Sequence, residues 1–166
     1  DIEILNYDKN YYQNIFKAKK IEINFDMSSI FSNLILIESL DIYDPEFFLD
    51  IIIKKDNRNN KNFYDDNIGL AKKINENTPD KIWPKKNKDV NFLIKRSNLY
   101  GATGNIKVPQ ILNPSNVKLS QMKFSSFGNI KDYRHYKDVL NSILLDLYAR
   151  TDEIELKKLL KKIYKF

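Results

Sequence analysis

Cysteine is absent from this 166-residue chain, and glycine (4), histidine (1) and tryptophan (1) are scarce. The lack of cysteine excludes disulfide bonds, thiol chemistry and cysteine-ligated zinc sites. The single histidine, His135, excludes any metal site that needs two histidines. The longest apolar runs, at 34–37 and 47–53, fall far short of the roughly 18 residues that cross a bilayer as a helix. We therefore expect no integral membrane span.

The residue types in excess follow a codon pattern. Phe, Tyr, Ile, Asn and Lys, whose codons are rich in A and T, are abundant, whereas Gly, Ala, Arg and Pro are few. We interpret this bias as the signature of an AT-rich genome. It reduces the weight of the lysine content and of the isoelectric point near 9.2 as indicators of nucleic-acid binding.

Charge is distributed unevenly along the chain. The net charge is +6, and it divides into −5 over residues 1–66 (8 basic, 13 acidic) and +11 over residues 67–166 (20 basic, 9 acidic). We predict one domain over 1–166, with an acidic and a basic half, because this length suits a single domain. The basic half predicts an anionic partner. The chain begins at Asp1 without an apolar leader, as expected of a processed form or a fragment.

Alternating apolar and polar residues predict strands at three places. Residues 20–26 (KIEINFD) alternate cleanly, and residues 90–95 and 117–124 are the second and third candidates. A long, turn-rich connection is expected over 97–116, between the last two strands.

Helices are predicted between and after these strands. Asp44-Pro45-Glu46 is typical of a helix start, so a buried helix is expected to continue to Lys55. Residues 29–40 have helical apolar spacing, with a buried strand at 33–38 as the alternative. A short helix is expected to start at Asp65 or Asp66 and to end near residue 76.

Two helices are predicted at the C-terminus, and a weaker helical stripe (Tyr7, Tyr11, Tyr12, Ile15, Phe16) at the N-terminus. The first C-terminal helix spans about 131–150, and the second starts at Thr151 or Asp152 with Glu155 completing a capping box. The predicted fold class is α+β: a small mixed or antiparallel sheet with packed helices and a C-terminal helical hairpin.

No catalytic constellation, metal site or cofactor motif assembles from the sequence. His135 is interpreted as a surface residue of a helix, and no nucleophile elbow accompanies Ser125 or Ser126. The carboxylates at 41–46 could ligate a divalent cation, but a helix cap explains them. The Gly101–Gly104 segment lacks the Lys-Ser/Thr of a phosphate-binding loop. We expect no enzymatic activity, no cofactor and no metal.

Two basic segments are candidates for binding nucleic acid. Loop lysines can contact phosphates, and an adjacent aromatic ring can stack on an unpaired base. The alternatives are a tryptophan that anchors a loop, and lysines that form the solvated face of a core-packing helix. The candidate residues are Lys81, Trp83, Lys85, Lys86, Lys88, Lys95 and Arg96 in the first segment, and Lys157, Lys158, Lys161 and Lys162 in the second.

One stretch resembles a known family. VKLSQMKF (117–124) followed by HYKDVLNSILLDLYA (135–149) is similar to the strand and long helix of a mitochondrial small-subunit ribosomal protein family. No functional residue is carried over from it.

Together, these features favour a non-catalytic structural subunit of a larger, RNA-containing assembly of ribosomal type, contacted through the basic C-terminal region. We expect RNA and other protein subunits as partners and an intracellular or organellar (mitochondrial) location. The alternative is a protein-interaction or surface scaffold module that binds no nucleic acid.

Overall fold

The fold consists of two sheets, which share bent strands, and a pair of C-terminal helices. The computed structural model describes residues 1–6, 14–56, 61–69, 91–108, 113–130 and 132–165. The strands are β1 (Ile2–Leu5), β2 (Asn14–Ala18), β3 (Lys20–Phe25), β4 (Leu34–Tyr43), β5 (Glu46–Asp56), β6 (Lys61–Asp66), β7 (Asn91–Tyr100), β8 (Thr103–Lys107), β9 (Ser115–Lys118), β10 (Met122–Gly128) and β11 (Arg134–His135). A 3-10 helix (Met27–Phe31) follows β3, and the α-helices are α1 (Tyr136–Arg150) and α2 (Ile154–Tyr164).

The strand order defines a first and a second sheet. The first has the order β1-β2-β5-β8-β9, with β6 also paired to β5, and the second has the order β3-β4-β7-β10-β11. The central pairs, β4 with β7 and β5 with β8, are parallel, and their outer neighbours are antiparallel to them. None of the helices in the described ranges has the length and apolar character required to span a bilayer.

Each central strand of one sheet continues into the other sheet through a bend. Tyr43 is opposite Tyr100 before the bend, and Glu46 is opposite Thr103 after it. In both pairs the partners are 57 residues apart in sequence, so the register is unchanged across the bend. Backbone hydrogen bonds bridge the bend, from Asp44 N to the Tyr100 carbonyl (2.7 Å) and from Thr103 N to the Pro45 carbonyl (2.8 Å). The two sheets are therefore halves of the same long strands, bent along a common line.

The C-terminal helices cover the apolar side of the bend. Leu156, Leu160 and Ile163 of α2 are fully buried. The side chain of Leu147 in α1 lies against Gly104 of β8, where a Cβ would be only 2.1 Å from its Cδ1. The core therefore lies between the helices and the bent strands, and it depends on the small residue at position 104.

The predicted α+β class is wrong, because most of the regular structure is β and only two α-helices are present among the described residues. The C-terminal helical hairpin is confirmed, but the packed helices predicted at 29–40 and 44–55 are strands β4 and β5. Asp44 and Pro45 form the bend instead of a helix start, and Asp44 has a φ of 48°. The apolar run after them lies inside a sheet, and a strand covered on both faces has the same composition as a buried helix.

The helical spacing at 29–40 also has a strand explanation. Ile37 and Leu40 both pack against the core, although a regular strand would place them on opposite faces. The β3–β4 ladder is irregular here, with a register shift between Asn24 and Phe25. Phe124 and Phe127 of β10 show the same spacing and are both buried, with their rings 6.2 Å apart. In both strands, residues three positions apart therefore face the core, which gives the sequence a spacing typical of a helix. The alternative prediction, a buried strand at 33–38, is the correct one.

The remaining predictions have mixed outcomes. Strands are confirmed at 20–26 (β3) and, in a longer form, at 90–95 (β7), whereas 117–124 divides into β9 and β10. The expected connection over 97–116 is wrong, because it contains the end of β7 and all of β8.

The helix predicted at 65–76 starts inside strand β6, and its residues from 70 onward lie outside the described ranges. The N-terminal stripe is also wrong where it can be compared, because Ile15 and Phe16 lie in β2; its tyrosines lie outside the described ranges. The capping box is wrong as well, because Glu153 is the N-cap of α2 and makes no side-chain cap hydrogen bond.

Candidate interaction surface

The apolar face of the second sheet continues past the helices to the edge strand β3. One cross-strand row contains Phe124, Ser97, Leu40 and Ile23, in the order β10, β7, β4 and β3. Phe124 and Ser97 are buried, Leu40 is half-buried, and Ile23 at the edge is 47% exposed. The apolar face of the sheet therefore extends beyond the part that the helices cover, and its last strand, β3, is exposed.

Further large apolar side chains are exposed immediately after Ile23. Within residues 23–31 five are exposed, and we call this set the apolar edge: Ile23 (47%), Phe25 (40%), Met27 (70%), Ile30 (44%) and Phe31 (95%). Single exposed apolar residues are common on protein surfaces, but a contiguous group marks an interaction site. The apolar edge is therefore the main candidate site among the described residues.

Hydrogen bonds hold the backbone of the apolar edge in place. The Asp26 carboxylate accepts hydrogen bonds from the Ser28 backbone N (3.0 Å) and hydroxyl (2.6 Å), which hold the pKa of that carboxyl below its usual value. The Ser29 hydroxyl donates to the Asp26 carbonyl (2.7 Å) and accepts from Leu36 N of β4 (2.8 Å). These contacts fix the 3-10 helix on the sheet, so its exposed side chains are presented on an ordered frame.

The opposite face of β3 and β4 is polar, and its charges are paired. Glu22 accepts hydrogen bonds from Lys20 and from the Tyr43 hydroxyl (2.9 Å), which lower the pKa of the Glu22 carboxyl. The same contact raises the pKa of Tyr43, whose ring stacks on Tyr100 at 5.0 Å. This face therefore has little unpaired charge with which to attract an anionic ligand.

The predicted nucleic-acid residues of the first basic segment are only partly described. Lys81, Trp83, Lys85, Lys86 and Lys88 lie outside the described residues.

Of the two that remain, Lys95 of β7 forms an ion pair with Glu38 of β4 (2.6 Å). Its neighbour Arg96 is exposed opposite Ser125. One of the two described cations of this segment is thus engaged within the fold.

The predicted lysines of the second segment all lie on α2. Lys157 lies 3.3 Å from the Ala149 carbonyl and over the Tyr148 ring, Lys158 pairs with Glu155 (2.9 Å), and Lys162 lies over the Tyr64 ring (5.2 Å). Lys161 is exposed. Among the described residues, no hydrogen bond, ion pair or ring contact joins these lysines to Lys95 or Arg96.

The other groups considered from the sequence have structural contacts. Asp41 accepts a hydrogen bond from the Asn98 amide, and the Glu46 carboxylate lies 3.5 Å from the Asn105 amide. In the described ranges no three His, Cys, Asp or Glu residues are grouped so as to hold a metal ion. Within the Gly101–Gly104 segment, Gly101 and Ala102 form the bend after β7, and Thr103 and Gly104 are the first residues of β8. His135 lies in β11 rather than in a helix, and its ring is 4.1 Å from the Tyr136 ring.

Sequence reasoning missed the apolar edge as a site. It predicted β3 and the shared face of Ile23 and Phe25, but alternation alone implies that this face is covered. A partial signal was present in the segment Met27–Phe31, where apolar residues flank serines that can cap a short helix.

Comparison with known proteins finds no match for this chain among protein-family models, curated proteins or solved structures. The functional argument therefore depends on the surface itself.

Proposed function

We propose that this chain is a non-catalytic subunit that joins a larger assembly by binding protein through the apolar edge. The observation that carries the proposal is the exposure of five large apolar side chains within residues 23–31 on a hydrogen-bonded backbone. A protein partner suits this surface because burial of apolar area drives most protein association, whereas nucleic acid requires cationic contacts. The most exposed member, Phe31, is the expected anchor.

Capture of partners from an extract of the source organism tests this proposal. Wild-type protein and the Phe31→Ser variant are immobilised side by side, with Ile154→Ser as the matched control because Ile154 is equally an exposed apolar residue (68%) on a distant element. We expect a stoichiometric partner that is retained by the wild type and the control and lost with Phe31→Ser. An identical set of retained proteins on all three columns would refute the proposal.

A second candidate function, RNA contact, is favoured by the basic face of α2. Lys158, Lys161 and Lys162 are exposed on this helix, and it lies in the half of the chain with a net charge of +11. Phosphate contacts of this kind give affinity that falls with salt concentration.

Fluorescence anisotropy with a labelled RNA at several salt concentrations tests this second candidate. Charge reversal at Lys158 and Lys161, and separately at Lys85, Lys86 and Lys88, should weaken binding and reduce its salt dependence. Negligible binding at low salt, or binding unchanged by both sets of reversals, would exclude it.

A further inference from the structure

The outer edge of β3 has no strand beside it among the described residues. β3 pairs with β4 on one side only, and it ends the second sheet. β1 pairs with β2 along Ala18 to Asn14, and no described residue of β1 pairs with β3. An open edge of this kind exposes alternate backbone N–H and C=O groups, which can accept another strand.

We propose that the apolar edge binds a second copy of this chain, with β3 pairing antiparallel to β3 of the other copy about a two-fold axis at Ile23. This inference rests on the proposed function, because it names the partner of the same surface. The two copies then form one continuous sheet across the axis, and their apolar faces lie on the same side.

The sequence of β3 selects this register over its neighbours. With Ile23 on the axis, Ile21 is opposite Phe25, Glu22 is opposite Asn24, and Lys20 is opposite Asp26 of the other copy. Apolar residues therefore meet on one face, and no like charges are opposite each other on the other face. Cross-strand apolar pairs of this kind stabilise antiparallel strands.

The neighbouring registers place like charges together. An axis at Glu22 would put two glutamates opposite each other, and an axis at Asn24 would put Glu22 opposite Asp26. Like charges directly opposite each other are destabilising. Registers with the axis between two residues would bring the apolar face of one copy onto the polar face of the other. Of the axis positions Glu22, Ile23 and Asn24, Ile23 is thus the one that avoids like charges and keeps the apolar faces together.

Sedimentation across a range of micromolar concentrations tests whether the dimer forms. We expect the wild type to dimerise and Ile23→Lys to raise the dissociation constant by about thirtyfold or more, because the residue meets itself at the centre of the interface. Ile154→Lys is the matched control, because Ile154 is an exposed isoleucine on helix α2 and is changed in the same way. This variant should sediment as the wild type does.

Introduced cysteines test the register, since the chain has none of its own. Under mild oxidation Ile23→Cys should form a disulfide-linked dimer, because directly opposite residues lie within the reach of a disulfide. A mixture of Ile21→Cys and Phe25→Cys should form mixed disulfides. Glu22→Cys should crosslink poorly, because residues 22 of the two copies lie diagonally apart. Efficient crosslinking of Glu22→Cys with none at Ile23→Cys would overturn the register.

The possible results separate this inference from the proposed function. A wild-type chain that stays monomeric at every concentration overturns the dimer, even if Phe31→Ser still loses a different protein partner. In that case the occupant of the edge is another protein, and the proposed function stands. Conversely, a dimer that dissociates with Ile23→Lys supports the inference, and failure of both experiments removes both proposals.

Discussion

Asp44 and Gly101 lie side by side on the parallel strands where both strands bend, and both have positive φ values, 48° and 69°. The space beside Gly101 is filled by the Asp44 carboxylate, so that a Cβ at position 101 would lie 2.5 Å from Asp44 Oδ1. Glycine permits the left-handed backbone and also leaves room for the neighbouring side chain. The bend that joins the two sheets therefore depends on this pair.

Replacing Gly101 by alanine should destabilise the protein by about 1–2 kcal/mol, because a left-handed alanine costs about that much, with a small further cost because the Cβ displaces the exposed Asp44 carboxylate. Gly69→Ala is the matched control, since Gly69 has a φ of 65° but no atom within 4 Å of its Cβ position. Thermal unfolding of both variants measures the difference. Equal losses would show that contact with Asp44 contributes nothing.

A double variant tests the contact itself. Asp44→Gly removes the carboxylate and suits the positive φ at that position, so Gly101→Ala should cost less in the Asp44→Gly background than in the wild type. Strictly additive losses would place the whole effect in the backbone of residue 101.

The packing of α1 on the first sheet should be sensitive to Gly104. A Cβ at position 104 would lie 2.1 Å from Leu147 Cδ1, so Gly104→Ala should cost about 1–3 kcal/mol through overpacking. Leu147→Ala alone should cost about 2–5 kcal/mol by leaving a cavity. The double variant should be more stable than the sum of these losses predicts, because the new methyl group occupies part of the cavity. Urea denaturation of the four proteins measures this coupling, and simple additivity would contradict it.

Short-range patterns in the sequence were sufficient to predict β3 and the two C-terminal helices. Alternation in 20–26 predicts β3. Apolar spacing predicts a helix over about 131–150 and another from residue 151 or 152 onward, and the structure places these helices at Tyr136–Arg150 and Ile154–Tyr164. In the two helices the pattern and the final environment agree, whereas in β3 the pattern predicts the strand but not the exposure of its apolar face.

The bend and the parallel pairing of the central strands were not predictable, because the pairing partners are distant in sequence. β4 and β5 are held by β7 and β8 across 57 residues, and no local pattern encodes that parallel register. Asp44-Pro45 has the composition of a helix start, but its contacts at the bend are with residues far away in the sequence, Gly101, Tyr100 and Thr103. The exposure of Ile23 likewise follows from where the helices end, so the candidate site could not be predicted from alternation.

The stability contribution of Asp146 should depend on pH in the acid range. Burial acts to raise the pKa of this carboxyl, but hydrogen bonds from the Ser120 N and hydroxyl (2.7 Å each) and from Arg150 outweigh it, so the pKa is lowered. A lowered native pKa adds stability above the unfolded pKa of about 4, and this is lost as pH falls through the native pKa.

Asp146→Asn should therefore cost about 1–2 kcal/mol at pH 7, and the difference from the wild type should shrink as pH falls below about 4. Urea denaturation between pH 7 and pH 3 measures it. Asp152→Asn, at an exposed position, is the control and should follow the wild type. A constant difference over the whole range would contradict the role of the Asp146 charge.

At the alkaline end the buried Tyr164 should limit stability. Burial and the neighbouring Asp66 carboxylate, to which its hydroxyl donates at 3.3 Å, raise the pKa of Tyr164 well above 10. The unfolded chain releases this proton near pH 10 while the native chain keeps it, so stability is full below pH 10 and falls as pH rises beyond it.

Tyr164→Phe should lose about 1–3 kcal/mol at pH 8, because the buried Asp66 loses a donor, and its stability should fall less steeply above pH 10. Tyr133→Phe, which removes the hydroxyl of a tyrosine that is 46% exposed, is the control and should keep the wild-type slope. Absorbance of tyrosinate during a pH titration gives a second readout: one tyrosine of the wild type should ionise only as the protein unfolds. If the slope is the same in all three proteins, Tyr164 does not keep its proton in the native state.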